Sequence, residues 1–418
     1  MGSLGGLQGF WVADLGSFVH ANLPWIFGAV VIGLSVVVMT WSDRRGKASH
    51  RGLAKALGLE LSQGDYVSGA VDGIPVEVFR QRIRRTKNHA TYAQMVVGPR
   101  GGEGVTIGPT RAEEGPRRNA LAGVGGAEVQ LGLLRFDGRF VLKGEERMVR
   151  ALLDAEGREV IARAVDEGWD LVRGAWSFVE GGAYISKAEA RGRRGLELAR
   201  WLLKRMENIT ADPTGALAAV VRNDPEVEVR HRAMWLIADR YAHDESAKTL
   251  FGELRDSADP ILRYSSLKGL ADRDGLLAMV LESEVPGEVR GEALATFATL
   301  GDERLVLAVS TLLSERSGPP ELRRAAVALL AQRPGEGAEN AAIAALEDPS
   351  DEVKAAAVAV LTATGTVKAV PALSAVDGSR AVEREAREAV LAIQGRIGSE
   401  LGGALAMADV EGNLAIAE

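Results

Sequence analysis

The stretch Asp348-Pro349-Ser350-Asp351-Glu352-Val353-Lys354-Ala355-Ala356-Ala357-Val358-Ala359-Val360-Leu361 decides the fold. Val353, Ala357 and Leu361 stand four apart, one stripe of an α-helix, and the Asp-Pro pair supplies a turn and a helix start. Proline suits that position because it lacks the N–H that would go unpaired in a first helical turn. The same spacing occurs as Val229, Ala233 and Ile237 after Asp224-Pro225, and as Leu262, Ser266 and Leu270 after Asp259-Pro260. It recurs as Val289, Ala293 and Phe297, then as Leu322, Ala326 and Leu330. A sixth, degenerate copy reads Glu385, Ala389 and Ile393. Successive first positions lie 33, 27, 33, 31 and 32 residues apart. Such a period means one supersecondary unit per repeat, here a helix, a tight turn and a second helix, stacked into a solenoid.

The pattern predicts five or six helix pairs over residues 211–397. It resembles HEAT repeats of the short type named after phycobilisome lyases. The resemblance rests on Asp-Pro followed by Val-Arg, then Ala, then a large aliphatic, with Arg230, Arg290 and Lys354 in the basic slot. Pro286-Gly287 and Pro319-Pro320 replace Asp-Pro in the third and fourth copies, and Glu385 fills an apolar slot as an end cap would. The resemblance implies that the second helix of each pair lines the concave side. The family includes scaffolds, adaptors and bilin-handling enzymes, so it implies a fold more than an activity. Arg230, Arg290 and Lys354 are expected to brace neighbouring turns.

With Val229, Ala233 and Ile237 taken as inward, residues two and six places further on face away. The candidate protein-binding residues are then His231, Trp235, Tyr264, Lys268 and Arg324, with Trp235 and Tyr264 as anchors for a helix or extended peptide. The corresponding positions of the other repeats are small, as in Gly291, Ala295, Ala328, Ala355 and Ala359. The alternative for Trp235 is packing against Trp201.

Leu23–Trp41 is free of charge and long enough, as a helix, to reach across a hydrocarbon core, with Trp25 and Trp41 near its ends. Arg44, Arg45, Lys47, Arg51 and Lys55 follow it, whereas residues 1–22 hold no Lys or Arg. The positive-inside rule then predicts a single-pass inner- or plasma-membrane protein with residues 1–22 outside and the bulk of the chain cytoplasmic.

Residues 42–185 carry strand signals mixed with short helices and read as a small α+β domain. Asp72-Gly73 between Tyr66–Val71 and Ile74–Phe79 marks a hairpin, and Thr91–Val97 a third strand. Gly98–Gly126 reads as loop; Ala127–Leu134, Arg139–Leu142, Trp169–Arg173 and Trp176–Val179 read as strands. A linking helix over 186–210 shows Leu196, Ala199, Leu203 and Met206 on one face. The fold class is mixed: one transmembrane helix, a small α+β domain and a C-terminal α-solenoid.

Arg80, Arg82, Arg84, Arg85 and Lys87, with His89 close by, form a basic hairpin, either a solvated tip or a contact for anionic lipid headgroups. Residues 1–210 hold 29 Lys and Arg against 23 Asp and Glu, and residues 211–418 hold 21 against 34. An acidic repeat region argues against nucleic acid as its partner. The tail 398–418 repeats Gly403–Asp409 as Gly412–Glu418 and reads as a flexible tandem motif that could fill the chain's own groove.

There is no cysteine, and His20, His50, His89, His231 and His243 have no metal-ligand spacing. No catalytic motif is present, so no catalytic, cofactor or metal residue is expected. The expected role is a membrane-tethered, non-catalytic scaffold with an unidentified protein partner. A bilin-lyase-type enzyme or subunit, and a lipid-sensing module acting through Arg80–Lys87, are the alternatives.

Overall fold

The computed structural model describes residues 44–62, 66–84, 89–99, 105–110, 127–181, 184–316 and 318–411, with backbone alone for 81–84, 89–90 and 398–411. The chain divides between Val229 and Arg230 into two compact units.

In the first unit the described strands make one eight-stranded antiparallel sheet. Its strands are β1 (Glu60–Leu61), β2 (Val67–Val71), β3 (Ile74–Arg84), β4 (His89–Val97), β5 (Thr106–Pro109), β6 (Phe140–Lys143), β7 (Trp169–Val172) and β8 (Ala175–Gly181). Their order is β1-β2-β3-β4-β8-β7-β5-β6. Two hairpins set the register. Asp72 and Gly73 have φ of 53° and 79°, and Arg173 and Gly174 have 50° and 79°. Paired left-handed residues give a two-residue turn whose twist matches its strands, which is why glycine stands second in each.

Strand β4 joins the two hairpins, pairing with β3 on one side and with β8 on the other, from Tyr92 opposite Gly181 to Val97 opposite Trp176. The predicted three-strand meander is therefore one end of a larger sheet. Strand β5, in the stretch read as loop, is held by β6 and by Ile107 opposite Leu171. Its order comes from partners distant in sequence, which local periodicity does not reveal. Ala127–Leu134 is not a strand; Glu128 makes a single bridge to Lys143, and a helical turn α2 runs over Leu134–Asp137.

Helix α1 (residues 44–57), α3 (Glu146–Leu152), α4 (Ala155–Asp166), α5 (Ala188–Ala211) and α6 (Pro213–Asn223) complete the described part of this unit. Leu53 of α1, Ile161 of α4 and Leu196, Ala199 and Leu202 of α5 share a core with Val76, Met95, Trp169 and Trp176 of the sheet. The buried stripe of α5 runs through Gly192, Gly195, Leu196, Ala199 and Leu202, whereas Leu203, expected on that face, is exposed. Gly195 lets the helix approach: a Cβ there would lie 2.7 Å from the Trp169 ring and 2.8 Å from Val97. Arg158 of α4 holds Asp224, after α6, through two hydrogen bonds of 2.7 and 3.0 Å.

The single-span membrane topology is corrected by the structure. Among the described residues no helix is long and apolar enough to cross a membrane, and Leu23–Trp41 lies outside them. The cations that oriented the span have a different place. Arg44, Arg45, Arg51 and Lys55 are the exposed side of α1, and Lys47 is half-buried. The opposite side buries His50, Leu53 and Ala54, and His50 Nε2 accepts the Ile185 N–H at 3.0 Å. A basic stripe of this kind is the solvated face of an amphipathic helix on its own domain. The predicted inner- or plasma-membrane location, with residues 1–22 outside, loses its support with the span.

Helix α7 (Val227–Arg240) spans the division. The second unit continues as α8 (Glu245–Leu254) and α9 (Pro260–Gly269), α10 (Arg273–Leu281) and α11 (Gly287–Thr299), and α12 (Leu305–Ser314) and α13 (Pro320–Leu329). Then follow α14 (Glu336–Ala345) and α15 (Asp351–Thr364), and α16 (Val370–Ser374) and α17 (Arg380–Glu411). Second helices stack on second helices, α11 on α13, α13 on α15 and α15 on α17, and α12 stacks on α14. Ala293, Phe297, Leu322, Ala326, Val353, Ala357 and Leu361 are buried in the core they share.

Two departures have local causes. Leu270, a predicted inward position, is exposed because α9 stops at Gly269 and Ala271 turns left-handed at φ 51° to start α10. That early turn produces the short interval of 27 residues. In the last repeat Val382, Ala386, Ala389 and Ile393 are buried, and Glu385 lies between the buried positions, half exposed. The stripe therefore begins at Val382, three residues earlier than predicted. Residues 398–411, in the predicted flexible tail, continue α17 as helix, and 412–418 lie outside the described residues.

Candidate protein-binding groove

The turns place the second helices. Asp259 caps α9, its Oδ1 accepting from Ile261 N at 2.9 Å and Leu262 N at 3.2 Å, with Pro260 at the first helical position. His231 Nε2 lies 2.7 Å from the other Asp259 oxygen. His231 therefore ties α7 to the following turn. Burial alone would raise the Asp259 carboxyl, but His231 and the two amides hold it below its ordinary value.

The residues directly after the inward slots brace turns in the same manner. Arg263 meets Glu282 at 3.0 Å, and Arg290 Nε donates to the Val280 carbonyl at 2.7 Å. Arg323 grips Asp348, and Lys354 donates to the Asp377 carbonyl. Arg263 and Arg323 were not singled out in the sequence, although each follows a slot residue, Leu262 or Leu322, as Arg290 follows Val289.

With those turns fixed, α7, α9 and α11 enclose a groove of about 590 Å³. Trp235, Asp239, Tyr264, Lys268, Glu288 and Glu292 are among the residues that line it, as is Ser265. Trp235 is 46% exposed. Tyr264 is buried, its hydroxyl 2.9 Å from Thr296 Oγ1, and burial pushes its phenol up. Lys268 Nζ donates to Asp239 Oδ1 at 2.6 Å. Burial favours its neutral form, but Asp239, Tyr264 and Glu292 outweigh that and raise its pKa. Lys268 thus stays an ammonium.

Three of the five candidate residues, Trp235, Tyr264 and Lys268, come together in this groove. Arg324 lies elsewhere, half exposed on α13 and 3.8 Å from Glu352. The acidic lining was missed; Asp239 follows Trp235 by four residues, the same-face spacing that could have found it.

In the basic hairpin, the Arg80 guanidinium lies over the Tyr184 ring, 4.6 Å from its centroid. Pairing sets Arg82 opposite Thr91 and Arg84 opposite His89, while Arg85 and Lys87 lie outside the described residues. Among the described residues no group of three or more His, Asp or Glu is placed to hold a metal ion.

The second unit is a helical repeat stack of the solenoid class. Residues 309–392, from α12 into α17, match the HEAT repeats family, whose members generally mediate protein–protein interaction and are usually non-catalytic. The groove lies N-terminal to the matched residues. No curated protein matches the chain.

Proposed function

We propose that this chain is a non-catalytic scaffold or adaptor that captures a protein partner on the second helices of its repeat stack, at the groove of α7, α9 and α11. One observation carries the reading. Trp235, a residue type that repeat packing normally covers, is 46% exposed beside a concavity floored by Tyr264. An amphipathic aromatic held on a rigid helix loses little entropy on binding and anchors interfaces well. The HEAT match in the neighbouring repeats supports the reading, because stacked helix pairs present extended surfaces of this kind.

No observation favours the bilin-handling alternative. The lipid-headgroup role of Arg80, Arg82, Arg84, Arg85 and Lys87 has less support than the groove, since Arg80 already stacks on Tyr184.

The test is proximity crosslinking from a photoreactive amino acid at Ile261, a lining position that leaves Trp235 intact, with Arg324 as the control position. A protein adduct formed at position 261 and not at 324 is expected. Equal adducts at both, or none at 261, overturn the groove.

A further inference from the structure

Resting on that reading of the groove, we infer that the segment it takes is cationic: a peptide stretch placing a Lys or Arg side chain between the Trp235 ring and the carboxylates of Glu288 and Glu292.

The charge of the lining points this way. Asp239, Glu288 and Glu292 are its carboxylates and Lys268 its cation, already paired with Asp239 at 2.6 Å. Glu288 and Glu292 stand one turn apart on α11 and are exposed. Carboxylates at i and i+4 on one helix repel each other, and a guanidinium or ammonium between them relieves this. The groove's field already acts on its own members, since Glu292 helps to hold Lys268 in its charged form.

Trp235 adds a recognition element that a carboxylate cluster lacks. Its exposed indole face attracts a cation electrostatically while covering the side chain's methylene stem. A peptide carrying phosphate or carboxylate would meet the same groups as repulsion.

Ser265 points to a ligand independently. It lines the groove at 1% exposure, and among the described residues its hydroxyl has no hydrogen-bond partner. Its neighbour Ser266, in the same helix, donates to the Leu262 carbonyl at 2.9 Å. A buried hydroxyl left unpaired is costly, and a peptide amide or carbonyl that displaces the side chains over it on binding would satisfy it. The volume of about 590 Å³ is that of a pocket for one long side chain and the backbone beside it.

The experiment selects a displayed library of random dodecapeptides on the full chain, counter-selects on Trp235→Ala, and measures the survivors by fluorescence polarisation. The expected result is enrichment of Lys and Arg over the input library. Binding should weaken at least tenfold in Glu288→Gln/Glu292→Gln, both exposed positions, and several-fold in Ser265→Ala. Survivors that need Trp235 without an excess of Lys or Arg overturn the cationic assignment and leave the groove reading standing. A selection in which every wild-type binder is lost to the counter-selection on Trp235→Ala sinks both. Equal displacement of every survivor by spermine, regardless of peptide sequence, overturns the peptide assignment in favour of a small polycation.

Discussion

Arg323 and Asp348 form a buried two-point pair, Nε to Oδ2 at 2.8 Å and Nη2 to Oδ1 at 3.0 Å, with side chains 7% and 3% exposed. Asp348 also accepts from Ser350 N at 2.9 Å, and Arg323 donates to the Gly318 carbonyl at 2.7 Å. One ion pair thus fixes the turns of two successive repeats. Breaking such a pair strands a buried charge, which costs about 3–5 kcal/mol, whereas replacing both partners with apolar residues is often neutral. Arg323→Met is expected to fall in that range by urea denaturation, and Arg323→Met/Asp348→Leu to regain most of the loss. Equal losses in the single and double variants would contradict the pair's role.

The same pair predicts acid sensitivity. Burial alone would raise the Asp348 carboxyl, but the Arg323 guanidinium and the Ser350 amide outweigh it and hold the folded value below the ordinary 3.8. A depressed carboxylate contributes stability that is complete above the unfolded pKa and is lost as pH falls through the folded one. Melting temperature is therefore expected to be insensitive to this group above about pH 5 and to drop below about pH 4. Asp348→Asn should flatten that drop, and a wild-type and variant difference that is constant from pH 7 to 3 would refute the assignment.

Gly195 tests the packing of α5 on the sheet. Any side chain there meets Trp169 and Val97 closer than van der Waals contact allows. Overpacking of this sort costs about 1–3 kcal/mol, so Gly195→Val is expected to lower the unfolding midpoint and alter the near-ultraviolet circular dichroism of the buried tryptophans. A variant with wild-type midpoint would show that α5 does not bear closely on β4 and β7.

The register of the last repeat separates two readings directly. Ile393→Ala removes a fully buried side chain and should cost about 2–5 kcal/mol. Glu385→Ala should stay within about 0.5 kcal/mol, because Glu385 lies between the buried positions. A large loss at Glu385 would restore the predicted slot.

The repeat stack was legible because its physics is local: helical stripes such as Val353, Ala357 and Leu361 recur with their turns, and the structure buries them. The same pattern brought Trp235, Tyr264 and Lys268 to one surface. What it could not show was how those residues are used. His231 shares the outward phase of Trp235, but the Asp259 carboxylate claims it, a partner 28 residues away. In the first unit the two hairpins were visible in Asp72-Gly73 and around Gly174, while β5 was not. Four residues held by strands from elsewhere leave no periodic trace. The basic run after Trp41 misled for a related reason, since α1 carries the same cations whether its apolar side meets lipid or the Leu196 helix.

The two outermost strands of the sheet, β1 and β6, are two and four residues long. An open sheet invites another chain to zip onto its unpaired backbone, and among the described residues both margins are short, β6 being already met by Glu128 and by the Val129 N–H. Blunt margins of this kind disfavour growth of one sheet onto the next.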